Sequence, residues 1–346
     1  MVKSNTDGAC TVSIIIKALN EEQRITECIE SALRAVEAVG GEVVLADSCS
    51  TDRTVEIASK YPIRIVQLKH PLERCCGVGP QLGYLYTLGE FIYILDGDME
   101  MLSTFLPEAL AFLRQNKEVG GVGGMVVEMN QHSLEYVARM ERASGHMKAG
   151  EVDRLDMGGL YRREAIEQTG YFSNRNLHSY EEFDLAMRLR ASGWRLWRLP
   201  FESVRHHGHD APPYRLLLRR WNSRYICGLG ELLRNAWQQP HFNLVLRNAR
   251  ELRLYALVLL WWITLLAAPW VAADMHQLLS AAALLLATPV LLMWAKKKSL
   301  SKGIFSVVSW NFNTAGLVRG LFATPRQPIA LVKASVLLDP RFSERL

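Results

Sequence analysis

The chain has 346 residues, is 49% hydrophobic and 22% charged, and carries a net charge of +5. That length suits one large domain plus an appendage, and the composition excludes a disordered tail protein, a collagen-like repeat and a disulfide scaffold. Six cysteines with no Cys-x-x-Cys pair fit free thiols in a reducing compartment.

In chain order, short β-branched or aromatic runs at 12–16, 42–46, 63–68 and 91–95 predict buried parallel strands. Between them lie helical patterns. One runs from Glu21 to about Val39, with Ile25, Cys28, Ile29, Ala32 and Val36 on one face and Asn20 as its cap. A second follows Ser50 and Thr51, and a third covers about 81–88. This alternation predicts an α/β sheet wound from βαβ units over the first 210 residues. The run at 12–16 is too short for a signal peptide. Gly77, Gly79 and Gly83 precede the fourth strand, so neither a dinucleotide fingerprint nor a P-loop is supported, and close helix packing explains them.

Ligands of open α/β sheets bind beyond the carboxyl ends of the strands. There the first strand runs into Asn20, Glu21 and Glu22, the second into the segment from Asp47 to Asp52, and the fourth into Asp96-Gly97-Asp98. So many acids at one edge imply a cation or hydrogen-bond donors among them. Glycine between two aspartates permits a bend that sends one carboxylate to a metal and the other to a ligand hydroxyl. Oxygen ligands of this kind suit Mg²⁺ or Mn²⁺, although Asp-Gly is also a common turn pair.

Farther on, Ser179-Tyr180-Glu181-Glu182 fits a capping box, and Asp184 and Arg188 have the spacing of a surface helix pair. His206, His207 and His209 beside Asp210 read equally as a polar loop or as metal ligands. From 212 to 237, Tyr214, Leu218, Trp221, Tyr225 and Leu229 alternate with arginines, which predicts an amphipathic helix at headgroup level or one packed on the preceding domain. Two apolar runs follow, 254–273 and about 277–294, each near the ~20 residues that cross a bilayer; the competing reading is a buried hairpin in a soluble core. Arg247, Arg250 and Arg253 precede them and Lys296, Lys297, Lys298 and Lys302 follow, so both outer flanks are expected in the cytosol. The stretch 304–322 contains Asn311, Asn313 and Arg319 and is read as an interfacial helix instead of a third span. The expected organisation is 1–210 catalytic, 211–253 interfacial, 254–295 membrane hairpin and 296–346 cytoplasmic helix and tail.

Taken together, residues 11–210 resemble an inverting glycosyltransferase of family 2 with the GT-A fold, a Rossmann-like, mostly parallel sheet flanked by helices. The resemblance rests on the first strand with Asn20-Glu21-Glu22, the segment from Asp47 to Thr54, and Asp96-Gly97-Asp98. It extends through Gly158-Gly159-Leu160-Tyr161-Arg162-Arg163, Gly170-Tyr171-Phe172, Glu181-Glu182-Phe183-Asp184-Leu185 with Arg188-Leu189, and Gly193-Trp194. It implies a nucleotide-diphosphate-sugar donor, a divalent cation and inversion at the anomeric carbon. By the same resemblance Asp47 meets the nucleobase, Asn20, Glu21 and Glu22 lie beside the nucleoside, and Asp96 faces the ribose or sugar. Asp98 holds the metal, with Asp96 and His206 as further candidate ligands. The family's acidic pair is usually Glu-Asp. Here Glu182 takes the base position with one extra methylene, which leaves Glu181 and Asp184 as alternatives.

Leu217 stands where processive members have a glutamine before Arg220-Trp221, which counts against polymer extension. The expected function is therefore a multi-pass enzyme of the cytoplasmic membrane, its catalytic domain in the cytosol, moving a sugar to a lipid-linked acceptor in surface-polysaccharide or glycolipid synthesis. Nucleic acid is not an expected partner. A polyprenyl-phosphate glycosyltransferase is the enzymatic alternative, although Met99-Glu100-Met101-Leu102 departs from the pattern of such enzymes. A non-catalytic nucleotide-sugar-binding membrane scaffold is the other.

Overall fold

A computed structural model describes residues 10–131, 145–208 and 211–343. The chain forms two compact units, residues 1–210 together with 325–346, and residues 211–324. His209 and Asp210 lie outside the described residues.

The first unit is built on a mixed ten-stranded sheet. Strands β1 (Val12–Ala18), β2 (Gly41–Asp47), β3 (Arg64–Leu68) and β4 (Phe91–Asp96) are parallel neighbours in the order β3-β2-β1-β4. They are short and apolar because both faces are covered. Ile14 and Ile16 join a core with Ile25, Cys28, Ile29 and Ala32 of the helix Ile25–Glu37. Ile15 meets the helix Val78–Tyr84 on the other side, where a Cβ at Gly83 would fall 2.3 Å from Ile15 Cγ2.

Beyond β4 the sheet changes direction. β5 (Met99–Met101), β6 (Val119–Glu128), β7 (Gly150–Val152), β8 (Gly159–Arg162) and β9 (Arg195–His206) complete that side, in the order β4-β8-β6-β9-β5 with β7 also on β9. β8 runs antiparallel to both β4 and β6, whereas β6 and β9 are parallel. At the opposite edge, β10 (Ala334–Leu338) pairs antiparallel with β3. Residues read from the sequence as a tail thus complete the sheet. Buried Arg64 holds this return, with Asp339 at 3.1 Å and Glu42 at 3.2 Å, and Arg175 donates to the carbonyls of Ala330 and Leu331.

Local boundaries shift for identifiable reasons. The first helix starts at Ile25 after Arg24, with no side-chain cap. Asn20 is not its cap; it adopts φ 60° and uses its side chain elsewhere.

In the second unit, the predicted amphipathic helix at 212–237 is broken into Pro213–Asn222 and Gly228–Ala236, with Arg224 at φ 61° between them. The helices Glu251–Val271 and Met275–Lys297 are long and apolar enough to cross a membrane, and very little of either is buried. Asp274 caps the second by accepting from Gln277 N at 2.8 Å. A third long helix, Leu300–Leu321, packs with them. Trp262 Nε1 donates to Asn311 Oδ1 at 2.7 Å, and a Cβ at Gly230 would lie 2.0 Å from Leu317 O.

Candidate active site

The carboxyl ends of β1, β2 and β4 place the predicted acids along one sheet edge, where the structure sorts them into different tasks. Asn20, Glu21 and Glu22 lace the first two loops together. Thr51 N donates to Asn20 Oδ1 at 2.7 Å, Glu21 N to Thr54 Oγ1 at 2.8 Å, and Glu22 N to Asp52 Oδ2 at 3.0 Å. Glu22 also pairs with Arg53 at 3.4 Å. These contacts shape the rim of the site, so Asn20 and Glu22 already have their polar work in the protein itself.

Asp47 is fully buried at the end of β2. Its Oδ2 accepts from Ser50 N and from Gln67 Nε2, both at 2.9 Å, while Oδ1 has no partner among the described residues. A buried carboxylate oxygen without a donor is costly, by roughly 1–3 kcal/mol or more. A ligand N–H would relieve that cost.

Glycine 97 is required for space. Its φ is not positive, and a Cβ there would fall 2.8 Å from Glu21 Cγ. Glu21 therefore packs directly on the acidic triplet. The two aspartates separate around that glycine. Asp96 Oδ1 lies 2.9 Å from Lys17 Nζ. Asp98 instead meets His206, with Oδ2 3.4 Å from Nε2. The sheet arranges this meeting, because His206 stands opposite Met99 of β5 and Glu128 of β6. Glu128 Oε2 takes the other imidazole nitrogen at 2.6 Å. Burial opposes a charged His206, yet Asp98 and Glu128 outweigh it and raise its pKa. His207 turns away to Glu100 at 2.9 Å.

Asp98 and His206 offer a hard oxygen and an imidazole nitrogen side by side, and Glu128 orients the imidazole as outer-shell carboxylates do at metal sites. That donor set fits a divalent cation that keeps positions open for phosphate oxygens. Among the described residues no group of three or more acidic, histidine or cysteine side chains is arranged around one point. Asp96 differs from the expectation in being engaged by Lys17 and not by this pair.

The acidic pair stands at the start of the helix Glu181–Ala191. The capping box is absent. Tyr180 occupies the cap position at φ 67°, and among the described residues no side-chain hydrogen bond caps the helix. The Glu182 carboxylate crosses instead to the segment before β8, accepting from Met157 N at 3.2 Å and Gly158 N at 3.4 Å. Met157 and Gly158 both have positive φ, 64° and 98°. A side chain at Gly158 would also press on Tyr93 Oη and Ile94 O. Arg198, fully buried, donates to the carbonyls of Gly124 and Asp156 and so fixes this segment.

Glu182 and Glu181 line a small cavity with Lys17, Ile94, Tyr161, Phe172, Ser173 and Leu185. The hydroxyls of Tyr161 and Ser173 are buried without a partner among the described residues. Burial is the main force on Glu182, with Lys17 opposing it and Asp156 and Glu181 adding to it; the carboxyl is pushed up to about 7. A carboxylate with that pKa is suited to take a proton near neutrality.

Asp184, by contrast, is not among the cavity-lining residues. It makes a buried 2.8 Å ion pair with Arg188, which also donates to Thr169 Oγ1 and to the carbonyls of Tyr171 and Phe172. Its role is to hold the loop that carries Phe172 and Ser173 against the cavity.

Sequence reasoning missed Lys17, Glu128 and Arg198. Lys17 carried a signal: a lone cation ending a buried strand beside three acidic loops.

Residues 13–170 match the sequence model of Glycosyl transferase family 2. A low-salt glycan biosynthesis hexosyltransferase of Haloferax volcanii, Agl6, is 35% identical over 120 residues, which is 33% of this chain and 27% of that protein. A dolichyl N-acetyl-glucosaminyl phosphate diacetamido-dideoxy-glucuronosyltransferase of Methanococcus voltae is 24% identical over 212 residues, 55% of this chain and 64% of that protein. The chain spans less than a third of the length of the first curated relatives it matches. Among solved structures, the mannosyltransferase PcManGT of Pyrobaculum calidifontis, in complex with GDP-Man and Mn²⁺, superposes with a TM-score of 0.60 at 20% identity, covering 92% of this chain and 91% of that one. Residues 13–170 are thus similar to a glycosyltransferase family 2 domain, and the chain shares the GT-A-like fold of that structure.

Proposed function

We propose that this protein is a membrane-anchored, inverting glycosyltransferase that moves a sugar from a nucleotide-diphosphate donor to an acceptor hydroxyl. The observation that carries this reading is the placement of Glu182. Its carboxylate leaves its own helix end, is held by two backbone N–H groups, and lines a cavity where burial raises its pKa to about 7. A neutral hydroxyl needs such a base; a phosphate acceptor does not. Two carboxylates against one lysine would also repel a phosphate, which disfavours the polyprenyl-phosphate alternative.

In this reading Asp47 Oδ1 accepts an N–H of the nucleobase. Asp98 and His206 would hold the divalent cation, with Glu128 keeping the imidazole oriented. When bound, that cation neutralises the leaving diphosphate as a Lewis acid, so the protein need not supply an acid on that side. Glu182 takes the acceptor proton from the face opposite the leaving group, and attack from that face in one displacement gives inversion.

The membrane role rests on the hairpin and on topology. Each apolar helix, at about 1.5 Å per residue, is long enough for ~30 Å of hydrocarbon. The sheet contains both chain segments that flank residues 211–324. The chain must then cross any membrane an even number of times in between. Glu251–Val271 and Met275–Lys297 make two crossings, so Leu300–Leu321 does not add a third. The basic flanks favour a cytosolic catalytic unit on the inner membrane. A lipid-linked acceptor fits this setting, because anchoring confines enzyme and acceptor to one plane.

The test is a panel of nucleotide sugars with a lipid extract, read by release of nucleoside diphosphate and by product mass. Turnover that needs Mg²⁺ or Mn²⁺ and is lost in Asp98→Ala and Glu182→Gln supports the reading. Normal turnover in both variants overturns it.

A further inference from the structure

The two halves of the candidate site come from distant parts of the chain. The acidic triplet ends β4, and the base stands on the helix Glu181–Ala191. One side chain joins them. Lys17 Nζ lies 2.9 Å from Asp96 Oδ1 and 3.3 Å from Glu181 Oε1, and the same lysine lines the cavity with Glu182. Its main chain takes part as well, because Gly97 N donates to Lys17 O at 3.0 Å. Lysine 17 thus grips the triplet by its carbonyl and by its ammonium, and reaches the helix with that same ammonium.

We propose that Lys17 is a positioning residue for the transfer, whose ammonium ties the donor-side triplet to the acceptor-side helix and holds Glu182 ready to accept a proton. The proposal rests on the reading of Glu182 as the base. Lysine suits this position because three carboxylates meet here: Asp96, Glu181 and Glu182. Asp98 and His206 pair with each other and do not line this cavity, whereas Lys17 does and brings the opposite charge to it. Burial works against a charged lysine, but Glu181 and Glu182 outweigh it and raise its pKa. The ammonium therefore persists throughout the working range of pH.

The pH dependence follows from the groups around Glu182. Lys17 on β1 favours its ionised form, while Asp156 before β8 and Glu181 on its own helix oppose it. Arg198 of β9 and the hydroxyls of Tyr93 and Tyr161 interact with it from β4, β8 and β9, as does the buried thiol of Cys76, which also interacts with Lys17. Of the two cations, Lys17 is the one at the cavity. Removing its charge leaves Glu182 with acidic neighbours and burial, and its pKa moves up. Activity that needs the carboxylate then fades at a higher pH.

The experiment compares pH profiles of kcat/KM for wild type, Lys17→Met, Lys17→Arg, Glu181→Gln and Glu182→Gln, all as full chains in membranes, with the nucleotide sugar the panel selects. Lys17→Met is expected to raise the acid limb by about one pH unit and to lower kcat more than it raises the donor KM. Lys17→Arg is expected to return the limb towards the wild-type position. Should Lys17→Met fail to fold, Glu181→Gln tests the same electrostatics with opposite sign, and its limb is expected to move down. A Lys17→Met enzyme with equal loss at every pH, or a Glu181→Gln limb that does not move, beside an inactive Glu182→Gln, overturns the role of Lys17 alone. A fully active Glu182→Gln overturns the base itself, and the role of Lys17 falls with it.

Discussion

The two units use the same kinds of apolar side chain in opposite ways. In the sheet unit Ile14, Ile15 and Ile16 are wholly buried between two helical layers. In the helical unit Leu257, Leu266 and Trp270 are 65%, 68% and 82% exposed. Water punishes exposed apolar surface on that scale, and soluble monomers rarely show a continuous patch of it. The first unit meets its hydrophobic demand by folding on itself; the second leaves two helices long and apolar enough to cross a membrane largely uncovered. In the proposed function, chemistry belongs to the unit that excludes solvent by packing and attachment to the one that does not.

The largest effect should separate these two roles. Glu182→Gln is expected to cut turnover by about 10²–10⁴-fold while the protein still sediments with membranes. Loss of both together would merge what the comparison divides. In wild type, the acid limb of kcat/KM is expected near pH 7, since Glu182 must be ionised to accept a proton and its carboxyl is pushed up to about 7. The rate should rise through that pH and fall below it.

The converse break is Leu260→Arg, in the middle of the first apolar helix. It should cost about 2.5–3.5 kcal/mol of membrane insertion, seen as protein lost from the membrane fraction. An unchanged distribution would mean that this face meets water or protein instead of lipid. A smaller effect probes packing in the sheet unit. Gly97→Ala must push against Glu21, costing roughly 1–3 kcal/mol in chemical denaturation and lowering donor affinity. The smallest concerns the helical unit: Trp262→Phe removes the donor to Asn311 and should cost about 0.6 kcal/mol in detergent unfolding.

The legible parts of the fold were those written locally. Four parallel strands showed as apolar runs, and the hairpin showed as two long charge-free stretches. What stayed hidden depended on register between distant segments. Glu128 closes a strand rich in glycine and valine, and nothing nearby shows that β6 lies beside β9 and places it against His206. The return of β10 to β3 involves five ordinary residues in a segment that reads as a tail.

Within the site, Ser179 to Glu182 satisfied the letters of a capping box. Tertiary structure decided otherwise, since Tyr180 turns left-handed and frees Glu182 to reach Met157 and Gly158. Asp184 had the spacing of a surface pair and proved to be a buried one. Asp96 and Asp98, two residues apart, face different partners, a lysine and a histidine, because β1 and β9 approach the triplet separately.

In the membrane-anchored form proposed above, the pairing of β10 with β3 also bears on how the sheet unit is detached. A protease that severs the chain once between residues 211 and 250 leaves the sheet moored by its other arm, through five residues of ladder and the Arg64–Asp339 clasp. Release of a free catalytic fragment then takes a second cut, near residues 322–326, or the peeling away of that strand. Limited proteolysis should accordingly show a nicked species that stays in the pellet before any soluble fragment emerges.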